Sequence, residues 1–201
     1  RGAISVTDIA AIRSFRADFS QHVRMRGDRI AIIDGLHERD FTYADCSNLI
    51  ARFGTFFKSH GLQAGDTVFA MIPNSVEMLL LFMAAAQHGL AFAPLSPDAQ
   101  SSEIGKWIAI SRPRIAVVAE TMTQTGLAGL MEAGLPVVTV SADSTFAWLP
   151  KEPMWTSLAP DCPGRLYLTT SGSTGDPKAI VIDTDVLWSA GYAFLSQHQF
   201  V

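Results

Sequence analysis

Two cysteines are all that this sequence of 201 residues contains. Cys46 and Cys162 stand far apart, with no CxxC partner and no HxxxH nearby, so neither a disulfide framework nor a zinc site is indicated. A reducing cytoplasm is the expected compartment. Positive charge is scarce too: 15 Lys and Arg face 19 Asp and Glu, a formal charge of -4, and no basic block exists of the kind that neutralises phosphate backbones. That argues against nucleic acid as a partner. Long apolar runs are missing: Met78 to Ala86, bounded by Glu77 and Gln87, falls well short of the roughly 20 residues needed to span a bilayer. It reads as a buried helix, and no transmembrane segment is expected. No charged and then apolar leader opens the chain; Arg1 begins it without a Met, so native residues are expected to lie upstream or to have been trimmed, and the start says nothing of targeting. Internal repeats and low-complexity tracts are absent, which sets aside solenoids and disordered linkers.

What is present is apolar residue in quantity, 48% of the chain, enough for a substantial core in a globular body. The pattern alternates between helical and strand periods. Ile9, Ile12, Phe15, Phe19 and Val23 after Thr7 describe an amphipathic helix that Arg24, Arg26 and Gly27 close. Ile30 to Ile33, Asp34-Gly35 and Arg39 to Thr42 predict a hairpin. Thr42 and Asp45 have capping-box spacing ahead of a helix from Tyr43 to His60, and Asn74 with Glu77 repeats that spacing before the apolar helix that Gly89 ends.

Strands are expected at Thr67 to Met71, Ala91 to Leu95, Ile115 to Ala119 and Val137 to Val140, with helices at Ser102 to Ser111 and Leu127 to Ala133 between the later ones. Right-handed crossovers then predict an α/β fold with a mainly parallel open sheet flanked by helices on both faces. Between Ser141 and Pro163 the prolines at 150, 153, 160 and 163 break every period, which reads as a surface connection. A last helix is expected from Thr184 to Gln197.

The chemistry is concentrated in one stretch. Strand candidates at Leu166 to Thr169 and Ala179 to Ile182 flank a run of small, hydroxylated and glycine residues that ends on Lys178. Gly172 and Gly175 let backbone N–H groups approach oxygen closely, while Thr169, Thr170, Ser171, Ser173 and Thr174 supply hydroxyl donors. Pro177 fixes φ and aims Lys178, whose ammonium can neutralise a β- or γ-phosphate; Asp176 is expected to face solvent. Ordinary loop composition would explain a five-residue patch of this kind, but the run is longer, ordered, and ends on a cation. Walker-type spacing fails, since counting from Gly172 puts Pro177 at the second Gly and Ala179 at the Ser or Thr. No GxGxxG follows a strand, so the dinucleotide fingerprint is missing as well.

The segment Tyr167-Leu-Thr-Thr-Ser-Gly-Ser-Thr-Gly-Asp-Pro-Lys178 resembles the signature of the adenylate-forming superfamily: acyl-CoA synthetases, luciferases and peptide-synthetase adenylation domains. Phe41-Thr-Tyr43 resembles that family's first core motif, and Ala86-Gln-His-Gly89-Leu-Ala-Phe-Ala-Pro94-Leu-Ser-Pro97 its second. The resemblance implies that ATP activates a carboxylic acid as acyl-AMP with release of pyrophosphate, followed by transfer to coenzyme A or to a carrier-protein phosphopantetheine. It places Thr170, Ser171, Gly172, Ser173, Thr174, Gly175 and Lys178 on the ATP phosphates, Lys178 as the catalytic charge, and Thr174 on Mg²⁺. One departure is Ala179, where the family commonly has Gly; a methyl is tolerated there if φ is negative.

The resemblance covers essentially residues 1–201 but less than half of such an enzyme. The adenine and ribose contacts, the acidic metal ligand, the hinge and the late catalytic Lys would lie in a carboxy-terminal remainder, so this stretch is expected to be inactive alone. Three readings compete: an AMP-forming acid–thiol ligase, a peptide-synthetase adenylation domain or fatty-acyl-AMP ligase loading a carrier, and a truncated non-catalytic domain that binds nucleotide or protein. The wording GLAFAPLSP differs from the GAAYVPLDP typical of peptide synthetases and favours the first. The acid is not readable.

The remaining signals have blander readings. His22, His37, His60 and His88 have no mutual metal-site spacing; His60 and His88 precede glycines at helix ends and are expected to cap them. His198 reads as an exposed helix-end residue. Trp107, Trp148, Trp155 and Trp188 lack interleaved basic residues and are expected to fill gaps between sheet and helices.

Overall fold

The computed structural model describes residues 12–122, 124–140, 146–151, 162–170 and 178–197. In order these form α1 (Phe15–Arg26), β1 (Ile30–Asp34), β2 (Arg39–Thr42), α2 (Tyr43–Ser59), β3 (Thr67–Met71), α3 (Val76–Gln87) and β4 (Ala91–Pro94). They are followed by α4 (Ser101–Ser111), β5 (Ile115–Ala119), α5 (Gln124–Glu132), β6 (Val137–Val140), β7 (Arg165–Thr170), β8 (Lys178–Asp183) and α6 (Thr184–Gln197).

The small hairpin forms as the Asp34-Gly35 turn predicts, β1 antiparallel to β2. The main sheet has the order β6-β5-β3-β4-β7-β8. Its first five strands run parallel and β8 returns antiparallel to β7. Side chains alternate across each strand, so the buried β3 and β5 serve two cores. Val68, Ala70, Ile115 and Val117 pack under α1, α2 and α3, while Phe69, Met71, Ala116 and Val118 pack under α4 and α5 with Ile104, Trp107 and Leu130. Helices therefore cover both faces, as the alternation predicts.

Local signals explain most boundaries. Thr42 Oγ1 accepts from Asp45 N at 3.1 Å and Asp45 Oδ2 accepts from Thr42 N at 2.9 Å, closing the expected capping box of α2. His60 ends that helix, its backbone N–H donating to Phe56 O and its Nδ1 lying 2.9 Å from the same oxygen.

Four expectations need correction. The first helix begins at Phe15, because Ser14 is its N-cap, accepting from Ala17 N; Ile12 and Arg13 precede it, and Thr7 and Ile9 lie outside the described residues. Arg13 instead reaches forward to Asp18 in the first helical turn, at 2.7 and 2.9 Å. The cap of α3 is Ser75, which accepts from Met78 N at 3.2 Å, rather than Asn74. Glu77 does not close a box but is buried, accepting from Phe146 N and Trp148 Nε1, each at 3.4 Å.

The stretch from 141 to 163 is not wholly a surface connection, since its described segment Phe146 to Lys151 carries two buried residues, Phe146 and Leu149. Arg52 of α2 anchors it by donating to the carbonyls of Pro150 at 2.7 Å, Phe146 at 3.0 Å and Leu149 at 3.4 Å. Trp148 sets its ring edge-on to Phe53 and Phe56 of α2.

Finally, His88 sits at the C-cap of α3 as expected, but its ring does not serve the helix end. It turns into the core between α2 and α3, 1% exposed, with Nε2 3.4 Å from Ile50 O. Trp188 of α6 packs against α1, donating to Asp18 Oδ2 at 2.7 Å; Trp155 and His198 fall outside the described residues.

Candidate functional site

Five parallel strands end on one edge of the sheet, and β3 and β4 send their helices to opposite faces: α3 belongs to the first core, α4 to the second. A crevice at the carboxyl ends of strands, where the connections diverge, is where open α/β sheets bind ligands. β7 lies next to β4, so its carboxyl end, Thr170, reaches this same edge.

Tight packing at the opposite edge places β7. Arg165 N donates to Leu90 O at 3.1 Å, continuing the ladder from the start of β4. Gly89 adopts φ +71°, which favours glycine, and a Cβ on it would fall 2.7 Å from Cys162 O. A Cβ on Gly164 would fall 2.6 Å from Ala86 Cα, so the second motif and the lead-in to the third meet backbone to backbone. Thr184 N donates to Gly164 O at 2.8 Å and holds the start of α6 to the same point.

β7 and β8 pair without interruption from Arg165↔Asp183 to Thr170↔Lys178. Thr170 and Lys178 are therefore directly opposite, at the mouth of the hairpin that β7 and β8 form at the sheet's carboxyl edge. Of the candidate phosphate contacts, the structure pairs Thr170 with Lys178 at the hairpin mouth. Ser171, Gly172, Ser173, Thr174 and Gly175, with Asp176 and Pro177, lie outside the described residues. Lys178 is exposed and shares a face, by strand alternation, with Ile180 and Ile182. Ala179 pairs with Thr169, packs against the second core, and is not among the residues of positive φ, so the methyl that replaces the usual Gly is accommodated.

Beneath the hairpin mouth lies Trp107 of α4, 1% exposed. Its indole N–H donates to Pro94 O, the last residue of β4, at 3.2 Å, and its ring meets that of Tyr167 edge-on at 6.3 Å and 90°. The sequence marked this tryptophan only as a gap filler. Its four-residue spacing from Ser111, whose hydroxyl donates to Trp107 O at 2.7 Å, shows a helix but not what the indole touches.

Among the described residues no group of three or more His, Cys, Asp or Glu comes together as a metal site, and Thr174 lies outside them. No described helix is long and apolar enough to cross a membrane. Cys46 is buried, and burial pushes its thiol up to about 11; Cys162 is half-buried and free.

The sheet and its helices define an open α/β domain with a candidate site at the carboxyl ends of its strands, and comparison with known proteins gives its family. A family model described as AMP-binding enzyme matches residues 19–200, and the chain belongs to that family. The acetyl-coenzyme A synthetase of Sinorhizobium medicae is 26% identical over 217 residues, covering 90% of this chain and 32% of its own length. The nonribosomal peptide synthetase anaPS of Neosartorya fischeri is 29% identical over 167 residues, covering 83% of this chain and 7% of its own. The inhibitor-bound N-terminal domain of FACL13 from Mycobacterium tuberculosis shares the fold, with a TM-score of 0.70 at 22% identity over 82% of this chain and 43% of that one. The chain thus spans a third or less of the length of these two curated relatives.

Proposed function

We propose that the protein containing this chain activates a carboxylic acid with ATP, forming an acyl-AMP and pyrophosphate, and then passes the acyl group to the thiol of coenzyme A. The observation that carries the reading is the hairpin whose mouth pairs Thr170 with Lys178 at the carboxyl edge of the sheet. In this reading residues 1–201 are the amino-terminal portion of the enzyme, and the acid, adenine and thiol sites lie in the polypeptide that follows.

A carboxylate oxygen attacks the α-phosphorus, the bond from that phosphorus to the bridging oxygen breaks, and pyrophosphate leaves with the electron pair. Such transfers depend on positioning and on neutralising charge that develops on the leaving oxygens. Lys178 supplies one positive charge, while Thr170, Ser171, Gly172, Ser173, Thr174 and Gly175 supply hydroxyl and backbone N–H donors. Mg²⁺, with Thr174 as its candidate ligand, would supply further positive charge against the phosphates when bound. The described residues add no cluster of carboxylates to hold it.

ATP–pyrophosphate exchange by the complete protein across a panel of carboxylic acids tests the reading. Exchange with at least one acid is expected, and silence with all of them overturns it. A second reading, transfer to a carrier-protein phosphopantetheine, is favoured by the likeness to anaPS. A carrier domain downstream, acylated in place of coenzyme A, would select it.

A further inference from the structure

The geometry points to Trp107 as a positioning residue for the ATP-phosphate hairpin, acting through Pro94 and Tyr167. This inference deepens the reading above and rests on it. No composition or motif singles out the residue; two contacts and a shared core do. The indole N–H donates to Pro94 O, where β4 ends and its connection to α4 begins. The indole ring meets Tyr167, three residues before the end of β7, edge-on. Tyr167 and Ala179, one on each strand of the hairpin, both pack against the core cluster in which Trp107 is the largest member.

One side chain of α4 therefore touches two of the strands that end at the crevice and supports the hairpin from below. Register explains why this matters. Tyr167 and Thr169 share a face of β7 by alternation, and Thr169 pairs with Ala179 on the same face. A shift of the indole moves Tyr167, and with it the mouth at which Thr170 pairs with Lys178. The carbonyl of Pro94 also loses a donor if the N–H is removed, which loosens the neighbouring strand end.

Phosphate contacts made by backbone N–H groups and hydroxyls tolerate little displacement, because displacements on the order of 1 Å cost about a hundredfold when reacting groups are involved. A brace under the mouth is thus expected to act on ATP and not on the acid.

The test uses the complete protein with Trp107→Phe, which keeps an aromatic ring and removes the N–H, and Trp107→Leu, which removes the ring as well. Two quantities are read: the Kd for ATP by calorimetry without acid, and the KM values for ATP and for acid in exchange. The expected result is a Kd and a KM for ATP raised severalfold in Trp107→Phe and roughly tenfold or more in Trp107→Leu, with the KM for acid unchanged. Thermal unfolding is followed alongside.

A purely structural tryptophan would lower the melting temperature and leave the ATP constants of the folded enzyme alone. That result, or equal rises for ATP and acid, overturns the inference. If Trp107→Leu does not fold, Trp107→Phe decides. The two readings fail differently: wild-type protein that binds ATP but exchanges with no acid sinks the proposed reaction while the Kd series still tests Trp107. Wild-type protein that does not bind ATP sinks both.

Discussion

Gly54 of α2 and the ring of His88 share a space that admits no further atom: a Cβ on Gly54 would lie 2.4 Å from both Cε1 and Nε2 of the imidazole. The glycine sits mid-helix, where its intrinsic cost against Ala is about 1 kcal/mol. The helix carries it because the histidine occupies the volume a side chain would need.

Gly54→Ala is expected to destabilise the protein despite the gain in helix propensity, since overpacking a rigid core costs about 1–3 kcal/mol. In a His88→Ala background the same change should become neutral or stabilising, because the clashing ring is gone. A double-mutant cycle by urea denaturation measures the coupling, and additive effects would show that the two residues do not compete.

The same ring makes stability depend on pH. Burial pushes the His88 imidazole down from its ordinary 6.5 to about 4, against the raising effect of the Ile50 carbonyl and with a smaller lowering contribution from Arg16. An unfolded chain therefore binds more protons than the native one between those values, and stability rises with pH through that window. The full contribution is present above 6.5, is lost progressively as pH falls toward 4, and amounts to about 3 kcal/mol. Asp45, held below its usual range by hydrogen bonds from the Thr42 hydroxyl and backbone N–H, loses its contribution only at lower pH. Denaturation midpoints between pH 7 and 4 check this, and His88→Phe should flatten the slope.

Arg52 offers a third test, because one guanidinium serves three carbonyls of the segment Phe146 to Lys151. Arg52→Ala leaves these acceptors without their donor and should cost about 1–3 kcal/mol. Tryptic cleavage after Lys151 should accelerate as well. Arg52→Lys restores a point charge but not the fork of donors, so partial rescue is expected. Unchanged proteolysis in both variants would show that the segment is held by its packing and by Glu77 without Arg52.

Much of this architecture was legible in the sequence, because its local signals agree with the fold. The Thr42–Asp45 box, the Asp34-Gly35 turn and the apolar strands at 67–71, 115–119 and 137–140 all act over a few residues. What was not legible depends on partners distant in sequence. Ser75 rather than Asn74 caps α3 because Glu77 is drawn inward to Phe146 and Trp148, about 70 residues away. His88 leaves its helix end because Gly54 opens a space in another helix. The hairpin mouth was readable as two strands around a hydroxyl-rich run, but the brace of Trp107 between Pro94 and Tyr167 exists only once the sheet has ordered β4 beside β7.

Lys178 and Ala179 are adjacent on β8 yet should respond in opposite ways to substitution. Lys178 lies at the hairpin mouth opposite Thr170, where the proposed reaction needs positive charge on the phosphates. Lys178→Met removes that charge while keeping an unbranched side chain, and ATP–pyrophosphate exchange by the complete protein should fall on the order of a hundredfold, as when one stabilising donor is lost elsewhere. Lys178→Arg keeps the charge in a different shape and should fall between the two. Ala179→Gly adds no group toward the phosphates and loses a methyl packed on the second core, so exchange should be retained while stability drops by about 0.5–1 kcal/mol. All three variants are measured for exchange and for unfolding. Loss of exchange in Ala179→Gly, or its survival in Lys178→Met, would mean that the hairpin mouth does not face the triphosphate.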